Sequence, residues 1–230
     1  MENAECLICG APLVYLEQAK EMECAICGKR ERTDALCANG HYVCTECHMS
    51  GVNSMYAVCL KETSKNPHDI LCKLMSMPFC HMHGPEHHIL VGASLLTAYK
   101  NAGGKLDLPK ALSQMQERGK KVPAGICGFW GSCGAAVSSG IFVSIVTGAT
   151  PLSEAEWGLC NKMTSASLAR IGAVGGPRCC KRNGALAIET AVAFAREHLG
   201  VEMELRPIVC TYSGENNQCI ALRCPFYPHH

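Results

Sequence analysis

A chain of 230 residues is long enough for one sizeable core with a small satellite module. A net charge of +1 and a pI near 7.5 exclude a broad attraction to nucleic acid or to a membrane surface, leaving only basic spots such as Lys120-Lys121 and Lys181-Arg182. The 18 cysteines would suit a disulfide scaffold in a secreted protein, but Met1-Glu2-Asn3-Ala4-Glu5-Cys6 has no charged n-region leading into an apolar run, so a reducing, cytoplasmic setting is expected.

The expected fold class is mainly α: a helical cysteine-rich domain over residues 80–230, a helical linker over 49–79, an N-terminal metal-binding module over 1–48 and a short C-terminal strand region. Within the module four metal-type pairs follow one another: Cys6-x-x-Cys9, Cys24-x-x-Cys27, Cys37 with His41, and Cys44-x-x-Cys47. Eight ligands suffice for two tetrahedral zinc ions, because two residues between cysteines let a tight knuckle place both sulfurs ~2.3 Å from one ion. The apolar side chains Leu13, Val14, Leu16, Leu36, Tyr42 and Val43 are too few to hold a fold, so the metal must supply the folding energy. Closed four-ligand sites of this kind are structural.

The run from Cys24 to Cys47 resembles the first six ligands of a RING-type, cross-brace treble clef. That resemblance implies one zinc on Cys24, Cys27, Cys44 and Cys47 and a second on Cys6, Cys9, Cys37 and His41. A RING carries its last pair after this run, whereas here the extra pair precedes it, so ubiquitin-ligase activity is not carried over. Sequential pairing of the first four and the last four ligands stays open.

Asn66-Pro67 reads as a helix start, with Ile70, Leu71, Leu74 and Met75 at helical spacing and Cys72 among the core positions. In Cys80-His81-Met82-His83-Gly84-Pro85-Glu86-His87-His88, Pro85 predicts a helix over 85–102 with a buried stripe of Leu90, Leu95, Leu96 and Tyr99, ended by Gly103-Gly104. His83 is a candidate ligand, and His87 and His88 in the first turn are candidate catalytic groups, since imidazoles ligate metals and move protons near neutral pH. A further short helix is expected from Asp107 to Gly119.

Gly125, Gly128, Gly131 and Gly134 recur every third residue and lead into the most apolar stretch of the chain. This pattern predicts a loop that opens a helix at Cys133, running to Gly148, where the dipole would favour the Cys133 thiolate as a catalytic or ligating group. The run Ala135 to Val146 is shorter than the ~20 residues of a bilayer span and reads as a buried core helix. Ser153-x-x-Glu156 predicts a capping box for a helix reaching Ile171, and Asn183 is the expected cap of an amphipathic helix stopped by Gly200. Arg178, Lys181 and Arg182 flank Cys179 and Cys180 and would lower their pKa values. Residues 201–212 alternate like a strand that Pro207 confines to an edge, and Cys210, Cys219 and Cys224-Pro225 follow. The chain closes on His229-His230, which fits a native end or an added tag.

Leu90 to Lys100, Gly125-x-Cys127-Gly128-Phe129 with Cys133-Gly134-Ala135, and Gly172 to Cys180 resemble the redox-active family named for its C-GCAxxG-C-C pattern, departing from it at Ser139. His83-Gly-Pro-Glu-His-His88 and the tail from Cys210 through Asn216-Asn217, Cys219 and Cys224-Pro-Phe-Tyr-Pro are similar to an uncharacterised domain family of anaerobic bacteria and archaea, often encoded near radical-SAM enzymes. These families imply no established reaction; the favoured reading is a redox or metallocluster protein, and a partner enzyme of radical-SAM type is a further expectation. In that reading Cys127, Cys133, Cys179, Cys180, Cys210, Cys219 and Cys224, with His83 beside them, gather around an iron–sulfur cluster or a zinc ion. Two other readings are a non-catalytic zinc-stabilised adaptor and a thiol or sulfur-transfer protein.

Overall fold

The computed structural model describes residues 6, 8–9, 11–49 and 51–228; residues 1–5 and the terminal His229-His230 lie outside them. The chain begins with an antiparallel hairpin, β1 (Leu13–Glu23) and β2 (Arg30–Cys37), with a register shift between Tyr15 and Lys20. Helices follow: α1 (Thr45–His48), α2 (Met55–Lys61), α3 (Pro67–Met75), α4 (His87–Asn101) and α5 (Leu108–Gly119). The second half holds α6 (Ile126–Phe129), α7 (Gly134–Thr147), α8 (Ala155–Val174) and α9 (Cys180–Phe194). No helix is long and apolar enough to cross a membrane.

Local chemistry sets several of these starts. The Asn66 side chain accepts a hydrogen bond from the His68 N–H with Pro67 in the first turn, and Asp107 does the same for Lys110 ahead of Pro109. Packing then centres on α4, in which every residue from His87 to Tyr99 is buried. A helix apolar all round must sit inside its neighbours, and α2, α3, α5, α7 and α9 surround it. Segment 49–79 joins this same core through Met49, Val52, Met55, Ile70, Leu71 and Leu74. Small residues bring α7 close to two partners. Ser138 accepts the Gly92 N–H at 2.9 Å across to α4, and a Cβ at Gly140 would stand 2.0 Å from Thr164 Oγ1 and 3.2 Å from the Cys160 carbonyl of α8.

The predicted buried helix over 135–146 is present as α7, but three local expectations are corrected. Ser153 does not cap α8; its hydroxyl accepts the Thr150 N–H instead, tightening the preceding turn. Asn183 does not cap α9 either: the cap is Cys179, whose sulfur accepts the Arg182 N–H at 3.4 Å, and the helix gives way at Ala195–Leu199 to a wider turn that ends at Gly200. The strand expected over 201–212 is irregular chain, since the sheet of the described residues is the β1–β2 pair. Pro207 has no N–H to offer a ladder. The tail is fastened by side chains, with Ile220, Cys224 and Phe226 packed on Ala185 and Leu186 of α9, and by the Cys210 N–H on the Phe226 carbonyl.

Gly140→Ala should destabilise the fold by about 1–3 kcal/mol through the forced separation of α7 and α8. Gly158→Ala, on the exposed face of α8 with nothing within 4 Å, should stabilise it by up to about 1 kcal/mol. Denaturant unfolding of both variants checks the opposite signs.

Candidate metal centres

The hairpin and α1 bring eight ligands into two groups, Cys6, Cys9, Cys37 and His41, and Cys24, Cys27, Cys44 and Cys47, each with its ligand atoms within 4.8 Å of one another. Either group can hold a metal ion. The pairing interleaves along the chain, as the treble-clef resemblance implied, and the sequential alternative is not what the structure builds. Cys9 Sγ lies 3.8 Å from Cys37 Sγ and 3.2 Å from His41 Nδ1, while Cys27 and Cys44 sulfurs are 3.6 Å apart. Outer contacts aim the sulfurs: Asn39 donates to Cys9, and the His41 and Cys44 N–H groups donate to Cys37 and Cys24. The Ala11 N–H holds the Cys9 thiol down to about 6. Burial raises Cys24, yet the N–H groups of Cys44, Cys27 and Ile26 bring it to about 6. Cys6, Cys24, Cys37 and Cys44 are buried while Ile8, Val14, Tyr15 and Ile26 are exposed, so the interior of this module consists of its own ligands.

The seven candidate cysteines of the second half, which also holds Cys160, divide between two neighbourhoods. Cys179, Cys210, Cys219 and Cys224 line one pocket of about 70 Å³, beside Lys181, Arg182, Tyr212 and Asn216. Burial raises the Cys210 thiol, and negative charge on Cys179, Cys224 or Cys219 would raise it further, which places all four within electrostatic reach. N–H groups of Arg182, Tyr212 and Ala221 donate to the sulfurs of Cys179, Cys210 and Cys219, each at 3.4 Å, and the Asn216 amide donates to Cys179 at 3.5 Å. Cys127 and Cys133 instead line a wide cleft of about 760 Å³ with Arg178 and Asn183. Cys180 is half-buried and within electrostatic reach of Cys133.

Cys133 stands at the entrance of α7 as the glycine run implies, but its thiol is raised rather than lowered. Cys133 caps α7 and feels the Ala135 N–H and the Asn183 amide, but burial outweighs both and pushes its thiol up. Burial likewise raises Cys179 and Cys180 despite the cations beside them. Desolvation of the charged form is the larger effect at all three.

The histidines are inward-facing. His87 is buried, with Nδ1 3.2 Å from the Gly84 carbonyl and Nε2 3.6 Å from Cys80 Sγ; burial lowers it to about 3 and keeps the imidazole neutral. His88 bonds the Val122 carbonyl through Nδ1, and its ring fills the space beside Gly134, where a Cβ would stand 2.1 Å from His88 Cδ2. The ring thus braces the start of α7 next to Cys133. His83 Nε2 lies 3.3 Å from Asn216 Oδ1, tying the His83-Gly84-Pro85 turn to the C-terminal tail.

Several residues escaped the sequence reading. Cys72 is not purely core: it and His68, one helical turn apart with Sγ 3.7 Å from Nε2, line the pocket of the four tail cysteines. Their i, i+4 spacing was the available signal. Asn183 and Asn216 direct amides at Cys133 and Cys179. His48, His81 and Glu86 form a further compact group.

Residues 55–227 match a family described as "Family of unknown function (DUF5714)". No curated protein and no solved structure matches the chain.

Cross-brace ligation gives a direct test. In the Cys9→Ser, Cys37→Ser double variant, metal analysis should show one N-terminal ion lost and one kept, whereas sequential pairing would lose both. A second test concerns His87, whose folded-state pKa of about 3 lies below the ordinary 6.5. Its contribution is fully present above pH 6.5 and is lost as pH falls toward 3, because the unfolded chain binds the proton first. His87→Gln should flatten that acid limb of the stability curve by up to about 1.4 kcal/mol per pH unit, measured by denaturant unfolding across the range.

Proposed function

The chain belongs to this family of unknown function, and we propose from its own residues that it is a redox metalloprotein whose Cys179, Cys210, Cys219 and Cys224 hold an iron–sulfur cluster, with two zinc ions holding the N-terminal module. The observation that carries the reading is the convergence of those four cysteines on one pocket, three of them already receiving backbone N–H bonds. Hydrogen bonds to sulfur are among the means by which a protein tunes a cluster's potential. Among the described residues no three of these sulfurs lie within 4.8 Å of one another, which is too open for a single ion. A cluster separates its thiolates more widely, because bridging sulfides hold its irons apart. Lys181 and Arg182 at the pocket offset the negative charge that four thiolates bring.

The N-terminal groups fit zinc by a different measure. Sulfurs on a tetrahedron of radius ~2.3 Å stand about 3.8 Å apart, and the Cys9–Cys37 and Cys27–Cys44 separations are 3.8 and 3.6 Å. Four ligands close each site, so zinc there has a structural role. When bound, a cluster at the tail supplies one-electron chemistry. The protein's part is to shield it, with Phe226 and Ile220 on one side and Asn216 and the tail N–H groups directed at its sulfurs. A partner enzyme of radical-SAM type, which uses such electrons, completes this reading.

Thiol or sulfur transfer is favoured by one separate observation: Cys127 is exposed in the same cleft as Cys133 and Arg178. Thiol titration before and after a mild oxidant would detect a reversible change of state there.

Purified without air, the protein should be brown with broad absorbance around ~400 nm and contain iron and acid-labile sulfide beside zinc. Cys210→Ser and Cys224→Ser should each remove iron and sulfide but leave zinc, while Cys127→Ser should keep all three. A colourless wild-type protein carrying zinc alone would sink the proposal.

A further inference from the structure

The geometry points to a third metal site, of the open three-ligand kind, formed by His48, His81 and Glu86 where the N-terminal module meets the start of α4. His48 Nδ1 lies 3.2 Å from Glu86 Oε2, and His81 Nδ1 lies 3.4 Å from Glu86 Oε1. One ligand atom from each residue falls within 4.8 Å of the other two. The two imidazoles meet edge to face, with ring centroids 4.8 Å apart, and Glu86 is 0% exposed. His48 Nδ1, His81 Nδ1 and Glu86 Oε2 are all shielded from solvent, yet no hydrogen bond satisfies any of them. Buried polar atoms of native proteins are rarely left so. Three of them converging at ion-pair distance without hydrogen-bond geometry describe a cradle for a cation.

The surroundings favour this corner over the adjoining one. Cys80, Glu86 and His87 also come within single-ion reach, but the Lys181 ammonium stands 3.5 Å from Cys80 Sγ and would repel a second cation there. On the favoured side the His81 N–H donates to Glu86 Oε1 at 2.9 Å, fixing the carboxylate as outer hydrogen bonds do around metal ligands. Two imidazoles and one carboxylate suit a divalent first-row ion such as zinc or iron(II), and three protein ligands leave coordination positions for water or substrate. His48 follows directly on Cys47, so the ion held by Cys24, Cys27, Cys44 and Cys47 keeps this third ligand in place. The same His48 borders a cleft of about 330 Å³ lined by Tyr15, His83, Trp130 and Arg178, which admits a small molecule to one edge of the site.

The site is independent of the tail cluster, and zinc counting separates the two. Anaerobically prepared protein dialysed to equilibrium against zinc(II) should bind one equivalent more in the wild type than in Glu86→Gln or His48→Ala, with labile sulfide equal in all three. Because His48 adjoins a zinc ligand and Glu86 is buried, His81→Asn, outside the module, gives the same count by another route. Equal zinc in the wild type and His81→Asn would overturn the site, as would a wild type that takes up only the two ions of the N-terminal module. Loss of sulfide together with zinc in His81→Asn would also overturn it, because the residue would then serve the fold or the cluster.

Discussion

Helix α4 is buried on every side, yet its first turns carry Glu86, His87 and His88, and much of the remaining structure answers that constraint. A buried polar group costs free energy unless it finds a partner: the two histidines find carbonyls, and Glu86 accepts the His81 N–H at Oε1 while its Oε2 stays without a hydrogen bond. The Gly84 and Val122 carbonyls take the two histidine Nδ1 atoms, and His48 and His81 face the carboxylate. Imidazoles from α1 and from the 80–86 turn hold Glu86 well below the usual carboxylate range, against a burial effect that pushes it up. Lys181, at the start of α9, reaches the His81 carbonyl at 2.9 Å and so joins the far end of the chain to the same place.

Sulfur takes over where apolar side chains are scarce. Among the described residues up to His48 the buried positions are cysteines, whereas Ile8, Val14, Tyr15 and Ile26 stay on the outside. The hairpin therefore gains little from hydrophobic burial, and its interior is made of the two Cys/His groups that could hold metal ions. The C-terminal tail repeats the arrangement on a smaller scale: a few apolar contacts to α9 and four cysteines turned inward on one pocket. A single hydrophobic core cannot extend to such thin segments at the edge of a domain, and in both places cysteines stand where apolar side chains are scarce.

Burial also sets how the thiols behave. Cys133, Cys179 and Cys180 sit beside N–H groups or cations that favour the thiolate, and all three are nonetheless raised. Loss of hydration makes the charged thiolate the less favourable form at each of them. Cys9 and Cys24 of the N-terminal groups differ, because backbone N–H groups aimed at their sulfurs lower both to about 6. Each N-terminal group thus pairs one lowered thiol with raised neighbours, Cys6 beside Cys9 and Cys44 and Cys47 beside Cys24.

What the amino-acid order determined by itself was whatever depends on neighbours a few residues apart. Cys-x-x-Cys spacing announced the N-terminal ligands, Asn66-Pro67 and Asp107 marked helix starts, and the glycine run into Cys133 marked the entry to α7, because knuckles, caps and turns are closed by local hydrogen bonds and short-range geometry. Ser153 and Asn183 were misjudged as caps because each found a better partner, one in the preceding turn and the other on Cys133. Only the tertiary structure decided that seven cysteines form two neighbourhoods rather than one, that Cys72 and His68 join the tail pocket, and that His48 meets His81 and Glu86. Those meetings span up to about 150 residues of chain and are imposed by the packing around α4 and α9. No periodicity or spacing encodes them, because the desolvation and distance that give each group its chemistry exist only once the helices have assembled.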